Sequence, residues 1–538
     1  MENKELPSAR RIPLYVLQDV PGKGKGLIAT RPIPRALGFS VKSHLLLAPL
    51  ARQIWDSRKR PCASRSRAFL ANNSSPSSLC AISTRTRILT TNALPIEDDG
   101  VDGGVFLEAS RINHACNNNA QKHWNERIKR HTIHAIRDIA IGEEITTTYL
   151  GTLRNRKMRQ EKLQAIFSFR CLCGLCSLPE EQSKQVDSRL EQIFYLDQVI
   201  GLQGIEGISA KPLKMLRLIE RQVNLYNEHG ANDVGLSRAF LDASQVLLAH
   251  DDLARAKVFM QKAVSEWEAI EGHDSATVLE YRHLSQDPSK HKLHGISKKW
   301  ATRVNQIPQR LDSRDFEDWL WRRDKPMSEG QLADFRHHAY FPEFAELPYD
   351  RGLDLDFYDF MDNNVRRPRR NWCFIGEVVD IGYLTRLQIE VQDRSGGKVP
   401  IFFHTEDRGE GLMASLKTGH IVAILYANSH AFMDGQFGIR HEDASLLKYL
   451  LGLNKRVQQF SVKSNLGRVC HGCGKLASTL QKCSKCSLFW YCNKECKSTG
   501  WTKNGHKSDC RLLKDSDLRG LFTLAWDKFD RYEKFPLL

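Results

Sequence analysis

Three runs between residues 111 and 176 decide the fold: RINHACNNNA at 111–120, IHAIRDIAIGEEITTTYLG at 133–151 and CLCGLC at 171–176. The first two supply an amide, an imidazole and a phenol, those of Asn113, His114 and Tyr149. Three cysteines within one short run have the spacing of zinc ligands, and a tetrahedral site needs a fourth ligand. Cys116 is a candidate for that fourth thiolate. The other three thiols of this expected site are Cys171, Cys173 and Cys176.

The order NHAC, GEEITTTY and C-x-C-x2-C resembles the SET domain of protein lysine methyltransferases with its cysteine-rich post-SET segment, over residues 11–180. A zinc module at 470–510 resembles a MYND finger. The two together resemble the SET and MYND domain-containing family, in its fungal arrangement with the finger last. This resemblance implies N-methylation of a protein lysine, with S-adenosylmethionine as the methyl donor and three Zn²⁺ ions.

The resemblance also implies roles for individual residues. Tyr149 is implied as the catalytic residue, with its hydroxyl near the transferring methyl group. Outside this motif context, a core histidine and a core aromatic would be the simpler interpretations of His114 and Tyr149. Methyl transfer is an in-line displacement, so positioning supplies much of the rate, and the acceptor amine has to be neutral. The residues that the resemblance assigns to cofactor binding are Gly24, Lys25, Gly26, Asn92, Asn113, His114 and Tyr149.

Two departures from the family pattern bear on activity. Residues 36–43 read ALGFSVKS, where the family usually has a glycine and then an acidic residue. Phe167 stands in the expected substrate channel, at the position of a second family tyrosine. A phenylalanine lacks a hydroxyl that holds water, so it either changes how many methyl groups fit or accompanies loss of activity. The alternative hypothesis is a non-catalytic chromatin regulator that uses a degenerate SET fold and the MYND finger as a scaffold.

Length and composition limit the class of protein. A chain of 538 residues is too long for one core and predicts three or four domains. Its 14 cysteines and the absence of a signal-peptide pattern predict a reducing compartment, nuclear or cytoplasmic, and metal binding. No apolar run has the length of a membrane span. The net charge of +16 is compatible with nucleic acid, which is a weaker alternative to an ordinary basic surface.

The remaining segments predict a multidomain α+β protein. We expect a strand, a tight turn and a strand over 12–30, and one or two helices over 51–90 with a loop at 72–78. Apolar spacing over 185–330 predicts a helical domain, and residues 238–267 resemble a tetratricopeptide-like helix pair. Residues 331–370 are expected to be a linker and 371–450 a small OB-like β-barrel, with Phe374, Phe402 and Phe403 either exposed or in its core. A helical tail is expected over 511–538.

The last module has eight candidate zinc ligands, enough for two closed tetrahedral sites. Closed sites leave no position for a reacting water, so this zinc is expected to be structural. MYND fingers typically bind proline-containing peptides, and Trp490, Tyr491 and Trp501 are candidates for an aromatic surface. Cys62, Cys80 and Cys373 are expected to be ordinary thiols. By resemblance, Cys470, Cys473, Cys492 and Cys496 hold one ion, and Cys483, Cys486, His506 and Cys510 hold the other.

Overall fold

The computed structural model describes residues 13–40, 44–47, 91–96, 103–151, 154–230, 234–323, 333–352, 354, 356–360, 366–450, 470–475 and 479–537. The chain divides into two compact units, residues 1–310 and residues 311–538. The expectations for 51–90, with Cys62 and Cys80, lie outside the described residues, as does the end of the irregular stretch 36–43. Within the described ranges, no helix combines the length and the apolar character that crossing a membrane requires.

The described strands of the first unit form three small sheets. One sheet has the order β1, β2, β10, β7, and the others have the orders β3, β9, β8 and β4, β6, β5. The bounds are β1 (Tyr15–Val20), β2 (Gly24–Ala29), β3 (Gly38–Ser40), β4 (His44–Leu47), β5 (Ala93–Pro95), β6 (Gly103–Phe106), β7 (Asn113–His114), β8 (Ala120–Asn125), β9 (Arg130–Ala135) and β10 (Glu144–Thr147).

The four-stranded sheet is completed by β10, which comes after the other three strands in the chain. β1 and β2 form an antiparallel hairpin, and its turn uses positive φ at Gly22 and Gly24, which glycine adopts without steric cost. This hairpin is the strand, turn and strand expected over 12–30. β10 lies between β2 and β7, antiparallel to the first and parallel to the second. The core beneath these strands includes Leu27, Ile112 and Ile145, all almost fully buried.

The described part of the first unit also contains six α-helices. Their described bounds are α1 (Arg156–Phe167), α2 (Glu180–Ala210), α3 (Pro212–His229), α4 (Val234–Ala249), α5 (Leu253–Glu271) and α6 (Ala276–Gln286). Short 3₁₀ turns occur at Ala109–Arg111, Pro288–Lys290 and Val304–Gln306.

In two of these helices, the sequence explains where the helix begins and ends or which face is buried. The Asn155 side chain caps α1 by accepting from the Met158 N–H at 2.9 Å, and Ser168 ends α1 in the left-handed region. In α5, Ala256, Met260 and Ala263 are fully buried, as their spacing predicts. α5 packs on α4 and also on β8 and β9, so the helical block supports the sheets.

The second unit is built on a seven-stranded mixed sheet with the order β17, β18, β15, β14, β13, β16, β19. β15 pairs in parallel with β18, and β13 pairs with both β14 and β16. The strands are β11 (Tyr358–Phe360), β12 (Arg366–Pro368), β13 (Cys373–Tyr383), β14 (Leu387–Gln392), β15 (Lys398–Phe403), β16 (Ile421–Leu425), β17 (Ser429–Ala431), β18 (Phe437–His441), β19 (Leu447–Leu450), β20 (Gln481–Lys482) and β21 (Trp490–Tyr491).

The helices of the second unit are short. They are α7 (Ser313–Leu320), α8 (Glu410–Met413), α9 (Lys494–Thr502), α10 (His506–Leu512) and α11 (Ser516–Thr523), with 3₁₀ turns at Phe344–Glu346 and Ala444–Leu446. Because α7 belongs to this unit, the boundary at residue 310 falls inside the segment predicted to be one helical domain over 185–330.

The expectation of a linker over 331–370 is wrong. Phe335, Phe341 and Phe357 from this segment are buried in one core with the sheet and with Trp526 from the C-terminal tail. Acidic and basic clusters around 351–370 suggested a boundary, but the aromatic residues between the charges supply the buried surface. The tail is helical only as far as Thr523, and its later described residues pack on the same core as irregular backbone and turns.

Trp526 holds the tail to the core. Its side chain is fully buried, its ring lies 4.6 Å from that of Phe341, and its Nε1–H donates to the Leu521 carbonyl at 3.0 Å. The Trp526 carbonyl accepts from the Asn371 N–H at 3.0 Å. The tail therefore contributes both apolar area and hydrogen bonds to the second unit.

We expect Trp526→Ala to lower the free energy of unfolding of the second unit by about 3–5 kcal/mol, because the lost ring leaves a cavity. Asp527→Ala, at the exposed neighbouring position, is the control and should change this free energy by less than about 0.5 kcal/mol. Urea titrations followed by circular dichroism measure both. Equal midpoints for the two variants would contradict a structural role for the tail.

Candidate active site and metal centres

Asn113 joins the glycine hairpin to β10. The parallel pairing of β7 with β10 sets Asn113 opposite Thr146. Its Nδ2 donates to the Lys25 carbonyl at 3.2 Å and to Glu144 Oε1 at 2.8 Å. The other carboxylate oxygen of Glu144 pairs with Lys23 Nζ at 2.6 Å. One amide therefore fixes the hairpin, β7 and β10 in a single arrangement.

Gly26 permits this close approach. A Cβ built on Gly26 would lie 2.9 Å from Asn113 Nδ2, 2.9 Å from Glu144 Oε1 and 2.6 Å from Val20 Cγ2. Gly24 differs, because a Cβ there would meet no atom of the described residues within 4 Å, although its positive φ still favours glycine. Gly26 is thus required by packing, while Gly24 keeps an open backbone surface beside it.

His114 is buried between Tyr149 and the thiols. Its Nδ1 accepts from the Tyr149 backbone N–H at 3.0 Å, and its Nε2 lies 3.3 Å from Cys116 Sγ. Burial lowers the pKa of His114 to about 4, so the imidazole is neutral near pH 7. Because Nδ1 is an acceptor, the single ring proton is on Nε2 and is donated to the sulfur.

Tyr149 lies at the centre of an aromatic group. Its hydroxyl donates to the Ile112 carbonyl at 2.8 Å, and burial raises its pKa to about 12, so the phenol stays protonated. Its ring centroid is 5.0 Å from that of Phe167 and 6.4 Å from that of Phe169. Lys122 Nζ lies 5.2 Å from the centroid of the Tyr149 ring, over its face. The arrangement gives an apolar, aromatic environment for an alkylamine.

The sequence motifs missed several of these contacts. Lys122 and Phe169 belong to no quoted motif, although both lie close to motif residues in the chain. Asn119, within the NHAC run, donates to Glu143 Oε1 at 2.9 Å and accepts from the Thr146 N–H at 2.8 Å. Asn119 therefore holds Glu143 and β10 in place. Its position in the first quoted run, close to the NHAC residues, is the sequence signal that could have indicated this role.

Asn92 is hydrogen-bonded to its chain neighbour Thr91 and to Ser110. Its side chain donates to Thr91 Oγ1 at 2.8 Å, and its carbonyl accepts from Ser110 Oγ at 2.9 Å. Ser110 lies in the turn that leads to Ile112 and Asn113. The cofactor role assigned to Asn92 by resemblance stays a prediction.

The post-SET cysteines come together with Cys116. The sulfurs of the four lie within 4.8 Å of one another, and Cys116 Sγ is 3.5 Å from Cys176 Sγ. Hydrogen bonds with the thiols of Cys116 and Cys171 lower the pKa of Cys176, which favours its thiolate. Four clustered sulfurs fit the tetrahedral thiolate set that zinc prefers. The group is formed by Cys116, Cys171, Cys173 and Cys176.

The C-terminal module contains two further groups with the same close spacing. One is Cys470, Cys473, Cys492 and Cys496, and the other is Cys483, Cys486, His506 and Cys510. These are the two interleaved sets that the resemblance implied. A Cβ on Gly472 would lie 2.3 Å from the Cys496 carbonyl oxygen, so the first loop needs glycine. The three groups together fit three zinc ions.

Tyr491 supports the second group, and the expectation that it belongs to an exposed aromatic surface is wrong. It is 1% exposed, and its hydroxyl hydrogen-bonds His506 Nδ1. This bond directs His506 Nε2 towards Cys486 Sγ, which lies 3.3 Å away. Phe489 stacks on the same imidazole at 4.0 Å. Trp490 and Trp501 are half-buried and remain candidates for surface contacts.

Known proteins match both ends of the chain. A SET domain family model matches residues 24–150, and a MYND finger model matches residues 470–510. Histone-lysine N-methyltransferase set5 of Schizosaccharomyces pombe is 30% identical over 318 residues, covering 57% of this chain and 94% of that protein. Histone-lysine N-methyltransferase SET5 of Yarrowia lipolytica is 31% identical over 108 residues, 20% of this chain and 23% of its own. Histone-lysine N-methyltransferase SMYD3 of Homo sapiens is 32% identical over 84 residues, 16% of this chain and 18% of its own.

We expect Cys116→Ser to lower the zinc content from three ions per chain to two, because three thiolates bind zinc far more weakly than four. Cys373→Ala is the matched control, since Cys373 is buried in the second unit and belongs to none of the three groups. Plasma mass spectrometry of the purified variants measures the metal. A Cys116→Ser chain that keeps three ions would exclude Cys116 as a ligand.

Proposed function

Because this chain belongs to the SET and MYND domain-containing family of protein-lysine methyltransferases, we propose that it transfers a methyl group from S-adenosylmethionine to a lysine of a histone or another protein. One observation carries the proposal. At the junction of β7 and β10, His114 accepts from the Tyr149 N–H, and Asn113, next to His114 on β7, donates to the Lys25 carbonyl and to Glu144.

The hairpin and β7 fit the proposed methyl donor. The space beside Gly24 is open, and Asn113 fixes the carbonyl of the next residue, Lys25. We assign the donor's contacts to Gly24, Lys25, Gly26, Asn92, Asn113, His114 and Tyr149. When bound, S-adenosylmethionine supplies an electrophilic methyl group on a positively charged sulfur.

The side chains around Tyr149 would orient the acceptor and exclude water. Phe167, Phe169 and the Tyr149 ring form an apolar wall, and such surroundings favour the neutral amine that the displacement needs. The Tyr149 hydroxyl, held by the Ile112 carbonyl, keeps the ring in a fixed position. Positioning of this kind is the main contribution that a protein makes to a direct methyl transfer.

The zinc sites have structural roles in this proposal. The His114 Nε2–H contact to Cys116 Sγ connects the donor side of the site to the post-SET group, so metal binding there supports the catalytic geometry. The two C-terminal sites are closed by four protein ligands each and supply no reacting water. We propose that the MYND finger binds a proline-containing peptide with Trp490 and Trp501, in the nucleus or the cytoplasm.

Two finer fold assignments are also proposals. The packing of α4 on α5 supports a tetratricopeptide-like pair, and the parallel pairing of β15 with β18 supports an OB-like barrel. Nucleic-acid binding by that barrel stays the weaker alternative. Phe374 and Phe403 are fully buried, so stacking of bases would have to use the half-buried Phe402.

Asn113→Ala should weaken S-adenosylmethionine binding by roughly tenfold or more, because the Lys25 carbonyl and Glu144 lose their common donor. Asn117→Ala, four residues on and exposed, is the control and should bind as the unaltered chain does. Calorimetric titration of zinc-replete protein measures both. Absence of binding by the unaltered, folded chain would favour the non-catalytic scaffold.

Phe167→Tyr should shift the product towards fewer methyl groups per lysine, because the added hydroxyl holds a water in the space that a second or third methyl needs. Phe167→Leu keeps that position apolar and should retain the methyl count at a lower rate. Mass spectrometry of histones after a fixed number of turnovers gives the distribution. An identical distribution for Phe167→Tyr and the unaltered chain would contradict this role.

A further inference from the structure

A lysine of the chain itself lies beside Tyr149, the residue that the proposed function places next to the acceptor amine. Lys122 is on β8, and its side chain reaches the face of Tyr149, with Nζ 5.2 Å from the ring centroid. The same ring contacts Phe167, which we have assigned to the substrate channel. An alkylamine over an aromatic face is the arrangement that a substrate lysine would adopt in this channel.

The Lys122 amine is otherwise without an electrostatic partner. Among the residues that the structure describes, it forms no ion pair and no hydrogen bond, and its contact is with the Tyr149 ring. Some other lysines of the first unit have carboxylate partners, such as Lys23 with Glu144 and Lys129 with Glu126. Burying an amine that lacks such a partner costs folding free energy unless the amine becomes neutral.

We propose that Lys122 is an internal acceptor, methylated by the SET domain of its own chain. The inference rests on the proposed function. The lone pair of the neutral Nζ forms a bond to the methyl carbon, and the carbon–sulfur bond breaks with its electrons going to sulfur. The products are N-methyl-Lys122, which releases a proton to water, and S-adenosylhomocysteine.

Burial supports this assignment, since it lowers the pKa of Lys122 to about 8. A substantial fraction of the amine is then neutral near pH 8, whereas an ordinary lysine is almost entirely protonated there. Methylation keeps the charge of the protonated form but adds bulk beside Tyr149. A methylated Lys122 would thus occupy more of the channel that an external lysine has to enter.

Peptide mapping by mass spectrometry tests the modification directly. Zinc-replete full-length protein is incubated with isotopically labelled S-adenosylmethionine and no other substrate. We expect label on Lys122 at close to one methyl group per chain, with a rate constant that does not change on tenfold dilution. Lys122→Arg should abolish this label, and Lys129→Arg, on the adjacent exposed turn, should retain it. Label elsewhere with none on Lys122, or a rate proportional to protein concentration, would overturn the inference.

A binding measurement tests the position of the amine without turnover. S-adenosylmethionine carries a positive charge at sulfur and S-adenosylhomocysteine does not. A protonated Lys122 near the methyl group therefore weakens the binding of S-adenosylmethionine more than that of S-adenosylhomocysteine. Lys122→Met should raise the affinity for S-adenosylmethionine relative to S-adenosylhomocysteine by roughly tenfold. A ratio equal to that of the unaltered chain would place Lys122 away from the acceptor position.

The outcomes separate the inference from the function on which it rests. Histone methylation by a chain whose Lys122 stays unmodified would overturn the internal acceptor and leave the proposed function intact. Failure to bind S-adenosylmethionine at all would overturn both. Methylated Lys122 together with the changed binding ratio would establish the internal acceptor.

Discussion

The two hydrogen bonds of His114 are the contacts on which the site depends. One ring nitrogen accepts from the Tyr149 backbone, and the other donates to Cys116. Because a neutral imidazole has one donor and one acceptor, both positions are used and the ring has a single orientation. The end of β10 is thereby fixed to β7, and β7 is fixed to the post-SET thiols. A protonated His114 would not serve both partners, and its burial lowers the pKa of the ring and so keeps it neutral.

Sequence patterns predicted the parts of the site in which chemistry dictates residue type. Metal sites require thiols and imidazoles at fixed spacing, so the candidate ligands could be predicted from the sequence, whereas the division of the C-terminal eight into two interleaved sets came from the resemblance to MYND fingers. The hairpin could be predicted because a glycine turn separates two alternating runs. The linker over 331–370 was predicted wrongly, because charged residues at its end hid aromatic residues such as Phe335 and Phe341 that form the core of the second unit. Tyr491 was predicted to belong to an exposed aromatic surface. The sequence does not show that its hydroxyl bonds to His506, which is 15 residues further along the chain.

Lys122 shows a different limit of sequence patterns. In an alternating strand, a lysine ordinarily indicates the solvent face. The neighbour of Lys122 is Tyr149, which is 27 residues later in the chain. Tyr149 follows β10, and β10 pairs between β2 and β7, two strands that precede it in the chain. No local sequence pattern predicts the contact between Lys122 and Tyr149. It depends on tertiary pairing, in the same way as the contact between Gly26 and Asn113.

β10 follows β2 and β7 in the chain but pairs between them, and this constrains when the sheet can form during synthesis. β2 and β7 each need β10 as a neighbour, so neither completes its pairing while the nascent chain ends before Thr147. The thiol group needs still more chain, up to Cys176. Until then Leu27, Ile112 and their neighbours lack the strand that covers them, and such surfaces are where chaperones act. The four thiols that fit zinc, and with them the sulfur partner network of His114, are complete only after the strands on either side of His114 have been synthesised.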